Sequence, residues 1–298
     1  MRVVISGASG LIGSALCSSL AADGHEVLRL VRRTAGNGEV QWDPQGRELP
    51  AGALEGSDAV VHLAGAGIGD HRWTDEYKAE IRNSRVRSTE LLATAIASAT
   101  NGPKVLLSGS AIGYYGDSDE RELDETAPAG SDFLAQVCVE WEAATAAAET
   151  AGARVAHLRT GVVLAAKGGA LSKMLPLFKL GLGGKFGNGR DWKSWISLAD
   201  EVAAIRHLLT ADVRGPVNLT APTPVTGGEL ARTLGKVMHR PSFLPIPSFG
   251  PKLLLGGELV DALLLTGQRV VPQALQQSGF KFQHETLEVA LRAILNRA

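Results

Sequence analysis

Cysteine is scarce in this chain. Cys17 and Cys138 are the only two in 298 residues, and neither lies in a Cys-x-x-Cys pair, which excludes a disulfide framework and a thiolate metal site. Both are expected to pack as small buried apolar groups. The seven histidines are scattered, with no His-x-x-x-His pair, so no metal centre is expected. Long hydrophobic runs are missing as well. The most apolar late stretch, KLLLGGELVDALLLTG, is broken by Glu258 and Asp261 and falls short of the roughly 20 apolar residues of a spanning helix. The opening MRVVISG reaches a glycine after a short β-branched run, without the apolar region of a secretory signal. A cytoplasmic protein with no membrane partner is expected. Neither sign of charge dominates, since 30 Lys and Arg stand against 31 Asp and Glu; there is no basic field to attract nucleic acid.

What is present is an alternation of short β-branched runs with segments of helical period. Strands are expected at 2–6, 26–31, 59–64, 104–110 and through RVAHLRTGVVL and GPVNLT, and helices at about 11–22, 89–99, 131–150 and 200–211. That order predicts an α/β fold, a Rossmann-type doubly wound parallel sheet. Beyond about residue 165 the chain turns rich in Gly and Pro (LGLGGKFGNGRDW, PTPVTGG, RPSFLPIPSFGP). Residues 1–165 are therefore expected to form a cofactor-binding domain to which 195–220 return, and 166–298 a smaller, interleaved C-terminal α/β lobe on the substrate side.

The first strand runs into ISGASGLIGSAL, where Gly7, Gly10 and Gly13 stand three apart at the opening of a helix. Unpaired amides at such a helix start can face a pyrophosphate. Gly7 would allow the turn, Gly10 the approach of the phosphates and Gly13 the packing of helix on strand. The second strand ends in Arg32 and Arg33 with no carboxylate beside them. An acidic residue there would bind the ribose hydroxyls of NAD, whereas arginine suits a 2′-phosphate, so NADP(H) is the expected cofactor. Arg33, the twentieth residue past Gly13, is the better placed of the two.

GASGLIG, SDAVVHLAG, SGSAIGYYG and WISLADEVAAI, in that order, resemble the extended short-chain dehydrogenase/reductase superfamily and its NAD(P)-dependent epimerase/dehydratase relatives. DHRWTDEYKAEIRNSRVRST, RTGVVLA and LGLGGKFGNGRDWKSWI are similar to an epimerase-like subgroup of unassigned activity. The resemblance implies that Ser9, Gly10, Leu11 and Ile12 line the pyrophosphate, that Asp58 sits near the adenine, and that Leu63, Ala64 and Gly65 pass beneath the ribose next to the nicotinamide. Ser110 matches a serine that bonds the reacting oxygen in active relatives. Homodimers are common among such relatives.

One absence sets this chain apart. Active relatives carry a Tyr-x-x-x-Lys pair on the helix after the serine strand, in which the ammonium lowers the phenol's pKa. Between Arg121 and Arg154 there is no lysine, arginine or tyrosine, only seven carboxylates. Phe133 and Val137, or Leu134 and Cys138, fill the two places according to register. Phe133, Val137 and Trp141 read as core or pocket lining. Tyr114 and Tyr115 follow Ser110, and Tyr114 is the candidate for the missing phenol, with Tyr115 the structural one. Lys185, Arg190, Trp192, Lys193 and Trp195 could overhang a pocket for an acidic or phosphorylated small molecule. Arg85 is preferred over Arg82 and Arg87 for reaching the cofactor. Two functions stay open: an NADP(H)-dependent oxidoreductase or epimerase acting by hydride transfer on a small polar or nucleotide-linked substrate, and a non-catalytic NADP(H)-binding sensor.

Overall fold

Short runs of Val, Ile and Leu that are buried on both faces form a parallel sheet rather than a half-exposed one. A computed structural model describes residues 1–242, 246, 256–262 and 266–297. Its central sheet contains β1 (Arg2–Ser6), β2 (Glu26–Val31), β3 (Glu39–Gln41), β4 (Ala59–His62), β5 (Val105–Ala111), β6 (Arg154–Thr160) and β7 (Gly215–Leu219). The order across the sheet is β7-β6-β5-β4-β1-β2-β3, and every pairing is parallel. All carboxyl ends therefore share one edge. The order reverses at β1, which makes a crevice at that edge.

Helix α1 (Leu11–Ala22) and helix α6 (Leu198–Thr210) cover one face, where Leu16, Leu20, Ile205 and Leu208 pack on Val3, Ile5, Leu158 and Val217. Helix α2 (Asp75–Ser98) covers the other through Leu92, Ala93 and Ile96, against Val4, Val60 and Leu106. The sequence placed only 89–99 of α2 in a helix. Its polar first half is helical because Thr74 caps it, accepting from the Tyr77 amide at 3.2 Å, and because Tyr77, Ile81 and Ser88 are buried on the same side as Leu92.

Two other elements differ from expectation. The helix foreseen at 131–150 is two: α3 (Phe133–Ala143), capped by Asp132, and α4 (Ala146–Thr150). They part at buried Thr145, whose hydroxyl donates to the Glu142 carbonyl at 2.8 Å. The strand RVAHLRTGVVL also divides, because at Gly161 the chain leaves the main sheet and Val162–Leu164 pairs with Trp195–Ser197. A Cβ on Gly161 would stand 2.6 Å from the Ser194 carbonyl oxygen.

A further core joins Leu171, Leu175 and Phe178 of α5 (Gly169–Lys179), Leu230 and Leu234 of α7 (Gly227–Met238), and Leu287 and Leu291 of the helix Leu287–Leu295. Trp195 is fully buried within it. Leu275 and Phe280 return to the core beneath the main sheet, and Arg269–Val270 pairs with Glu122–Leu123. Most of the proline-rich loop RPSFLPIPSFGP and much of KLLLGGELVDALLLTG lie outside the described residues. Among the described residues no helix is long and apolar enough to cross a membrane, and none of the His, Cys, Asp and Glu side chains are grouped to hold a metal ion.

Candidate functional site

The glycine loop sits where β1 delivers it, at the carboxyl edge. Gly7 has φ +70°, and a Cβ on it would stand 2.6 Å from the Leu63 carbonyl group and 2.8 Å from the Ala64 nitrogen. Only glycine fits there, on backbone conformation and on space alike. At Gly13 a Cβ would come within 2.2 Å of the Gly7 oxygen, so this glycine lets α1 close onto the loop. Gly10 is exposed, and the one neighbour its Cβ would meet is the Gly7 oxygen at 3.3 Å. Beside it Ser9 is exposed, and Leu11 and Ile12 are half-buried. The first bond of α1 runs from the Ser14 amide to the Gly10 carbonyl at 2.9 Å, and no side chain caps the helix or places a carboxylate in its first turn. The amides of Leu11, Ile12 and Gly13 thus open the helix at the positive end of its dipole, a cradle for an anion.

Behind the loop lies a buried histidine that no sequence motif singled out. His62 Nδ1 is 2.5 Å from the Ser6 hydroxyl, and Nε2 is 3.0 Å from the Ser88 hydroxyl. The Ser88 proton goes to the carbonyls of Ser84 and Arg85, so Nε2 carries the hydrogen and Nδ1 accepts from Ser6. Burial, followed by the Arg85 charge, lowers the His62 pKa to about 3. The neutral ring ties the ends of β1 and β4 to α2. Leu63 and Ala64 are half-buried against Gly7, and Gly65 is exposed; these three residues continue the cradle from the end of β4.

Two expectations need correction. Asp58 precedes β4 and so occupies the amino edge of a parallel sheet, the edge away from the glycine loop. Its carboxylate accepts the Arg2 amide at 2.6 Å; it joins the starts of β1 and β4 and is remote from any adenine held at the carboxyl edge. Arg33 does have a carboxylate beside it. Glu39, on the short strand β3 that the sequence did not reveal, takes both guanidinium nitrogens at 2.7 and 2.8 Å and also pairs with Arg29. The bond from Arg33, more than any other influence, lowers the Glu39 pKa to about 2. Arg32 is exposed and forms no ion pair among the described residues, which makes it the available guanidinium at the end of β2.

Across β5, β6 and β7 the carboxyl edge carries a different kind of structure. Ser110, Arg159 and Asn218 are register partners in adjacent strands, so their side chains share one face. Ser110 donates to Glu142 Oε1 at 2.7 Å, and Arg159 meets both Glu142 oxygens at 2.8 and 2.9 Å. Arg159 Nη1 also donates to the Tyr115 hydroxyl at 3.0 Å, and that hydroxyl donates to Asn218 Oδ1 at 2.7 Å. Burial raises the Tyr115 pKa to about 12. Burial alone would lower the Arg159 pKa, but the bonds to Glu142 hold it above its ordinary value. Tyr115 is therefore structural. The Tyr114 ring lies flat on Arg159, with Cζ 3.4 Å from its centroid, and Tyr114 is half-buried.

The absence of a cation between Arg121 and Arg154 is thus met from outside that interval, by Arg159. The signal was a charged residue in the apolar strand RVAHLRT, facing inward at the alternation of a buried strand. Ser110 is placed at the carboxyl edge as expected, but its proton is committed to Glu142, so it is not free to polarise a carbonyl. Val137 and Trp141 are buried and Phe133 is half-buried, all on α3. Arg82 is ion-paired with Glu140. Trp195 cannot overhang a pocket, because it lies in the core with its indole donating to the Thr223 carbonyl. Lys193 is held by Asp191 and the Thr266 carbonyl.

Residues 3–220 match the model of the NAD dependent epimerase/dehydratase family, and residues 246–294 match a domain of unknown function, DUF1731. The chain is 47% identical to an epimerase family protein of Mycobacterium leprae over 97% of its own length and 94% of that protein's. It is 39% identical to the human epimerase family protein SDR39U1 over 99% of this chain and 100% of that one. A crystal structure of human SDR39U1 with NADPH superposes with a TM-score of 0.90 at 35% identity, covering the whole of both chains. A nucleoside-diphosphate sugar epimerase from Corynebacterium glutamicum gives a TM-score of 0.81 at 37% identity over 99% of this chain, which spans 58% of that one. The glycine cradle, the parallel sheet and these similarities together establish that the chain belongs to the NAD dependent epimerase/dehydratase family.

Proposed function

We propose that the protein is an NADP(H)-dependent oxidoreductase or epimerase that transfers hydride to or from a small polar or nucleotide-linked substrate. The observation that carries the cofactor is the uncapped start of α1 beside Gly10, with the unpaired Arg32 one strand away at the end of β2. Amides take the pyrophosphate and a guanidinium takes the 2′-phosphate. The NADPH in human SDR39U1 supports this assignment, and the C. glutamicum sugar epimerase supports a nucleotide-linked substrate. When bound, the nicotinamide supplies or takes up the hydride at C4.

Ser9, Gly10, Leu11 and Ile12 hold the pyrophosphate, and Leu63, Ala64 and Gly65 support the cofactor beyond β4. Residues 1–165 with 195–220 form the cofactor side, and the rest of 166–298 the substrate side. Tyr114 is the proton donor or acceptor. Its hydroxyl has no hydrogen bond among the described residues, and the Arg159 guanidinium against its ring fixes the ring at the carboxyl edge. In the hydroxyl form of the substrate the reacting oxygen donates to Ser110 Oγ, which positions it. A cytoplasmic location agrees with two free thiols, Cys17 and Cys138.

A second reading, a non-catalytic NADP(H) sensor, draws its support from the Ser110 proton given to Glu142 and from the lack of a Tyr-x-x-x-Lys pair on α3. Loss of NADPH absorbance against a panel of carbonyl compounds separates the two. Turnover that falls at least ~100-fold in Tyr114→Phe, with NADPH affinity retained, supports the enzyme. Tight binding without turnover of any compound supports the sensor.

A further inference from the structure

Arg85 is the second guanidinium enclosed at the carboxyl edge, and unlike Arg159 it has no carboxylate partner among the described residues. Among the described residues its one side-chain hydrogen bond is from Nη1 to the Ile81 carbonyl of its own helix at 2.9 Å, and it enters no ion pair. Its Cζ lies 3.2 Å from where a Cβ on exposed Gly65 would stand and 5.1 Å from the centroid of the Trp141 ring. Trp141 in turn packs on Gly109 of β5, its ring edge 2.7 Å from the position of a Cβ there. Gly7, Leu63–Gly65, Arg85, Trp141 and Gly109 therefore form one chain of contacts running along the edge from β1 across β4 to β5. A half-buried cation with donors left over calls for an acceptor-rich ligand.

The direction of that chain decides which part of the ligand. With the pyrophosphate at the start of α1 and the 2′-phosphate at the end of β2, the adenosine half lies on the β2 side. The other half must extend the opposite way, over β4 and toward β5, where Gly65 and Arg85 are. Resting on the NADP(H) reading above, we propose that Arg85 is the cation that holds the nicotinamide-side ribose, donating to its vicinal hydroxyls from α2. Helix α3 has no basic residue to do so, and the Arg159 charge is neutralised by Glu142.

Calorimetric titration of the full chain with NADPH and with adenosine 2′,5′-bisphosphate, which lacks the nicotinamide half, tests this. Arg85→Met should weaken NADPH by ~10-fold or more and leave the bisphosphate within about twofold, and Arg85→Lys should recover part of the NADPH affinity. Equal losses for both ligands, as misfolding or a purely structural role would give, overturn the proposal, and so does an unchanged NADPH affinity. Should Arg85→Met fail to fold, Arg85→Gln, which keeps a donor for Ile81 and removes the charge, gives the same split. Wild-type protein that binds neither ligand would defeat the NADP(H) reading itself, whereas wild-type binding with no split in the variants defeats only the role of Arg85.

Discussion

The two ends of the carboxyl edge are built from different materials. At the β1–β2–β4 end the surface is backbone: glycines without room for a Cβ, free helix amides and a three-residue strand exit. At the β5–β6–β7 end it is side chains, with Ser110, Glu142, Arg159, Tyr115 and Asn218 joined into one buried network. A backbone cradle recognises what every dinucleotide shares, a pyrophosphate, and leaves little to vary. A side-chain network can be rebuilt while the sheet stays the same. In this chain Arg159 on β6 is the cation of that network, and α3 carries none.

The sharpest test of the contrast removes one member of the network. Glu142→Ala strands the Arg159 charge in a buried site and should cost about 3–5 kcal/mol in urea unfolding, with much of the loss recovered when Arg159→Met is added. A single-variant cost under ~1 kcal/mol would mean that the network does not brace this end.

Next in size is Glu201, buried on α6 with the Thr160 hydroxyl on one carboxyl oxygen and, among the described residues, no partner for the other. Burial raises its pKa from 4.5 to about 8, with the Thr160 bond offsetting only part of that. The folded state therefore holds a proton that the unfolded chain releases above 4.5. The associated stability is fully present below that pH and is lost progressively as pH rises from there through about 8. Glu201→Gln, which mimics the protonated acid, should flatten the fall in Tm between pH 5 and 8; a parallel fall in both proteins would refute the assignment.

At the backbone end, Gly13→Ala should cost about 1–3 kcal/mol by forcing α1 off the loop, and should abolish NADPH binding in calorimetry. Smallest is the division between the two arginines. Arg32→Ala should weaken NADPH by ~10-fold without affecting NADH, about 1.4 kcal/mol, whereas Arg33→Ala and Asp58→Asn should each stay within about twofold. Equal effects at Arg32 and Arg33 would show that Glu39 releases its partner when the cofactor arrives.

Legibility in the sequence followed the same division. Strands β1 and β2 and helix α1 were readable because hydrophobic period, Gly7 and Gly13 act within a few residues of one another, and the roles of Gly7 and Gly13 in the turn and the helix packing are those the spacing implied. Strand β3 was not readable. EVQ is too short and polar to signal a strand, and it exists because β2 offers it a pairing edge; with it went the knowledge that Glu39 holds Arg33. Asp58 was misplaced for a related reason. The resemblance set it near the adenine, yet a residue directly before a strand of a parallel sheet stands at the amino edge, a full strand length from the glycine loop.

The sequence by itself determined the alternation of strand and helix, the anion cradle at the start of α1 and the lack of a Tyr-x-x-x-Lys pair, since each is a property of neighbouring residues or of composition. Only the tertiary structure decided that Arg159 meets Glu142, that Arg85 lies against Gly65, and that Asn218 joins Tyr115. Those partners are separated by between 17 and 103 residues in the chain where their bonds are direct, and strand register and helix docking, rather than spacing, bring them within hydrogen-bond reach.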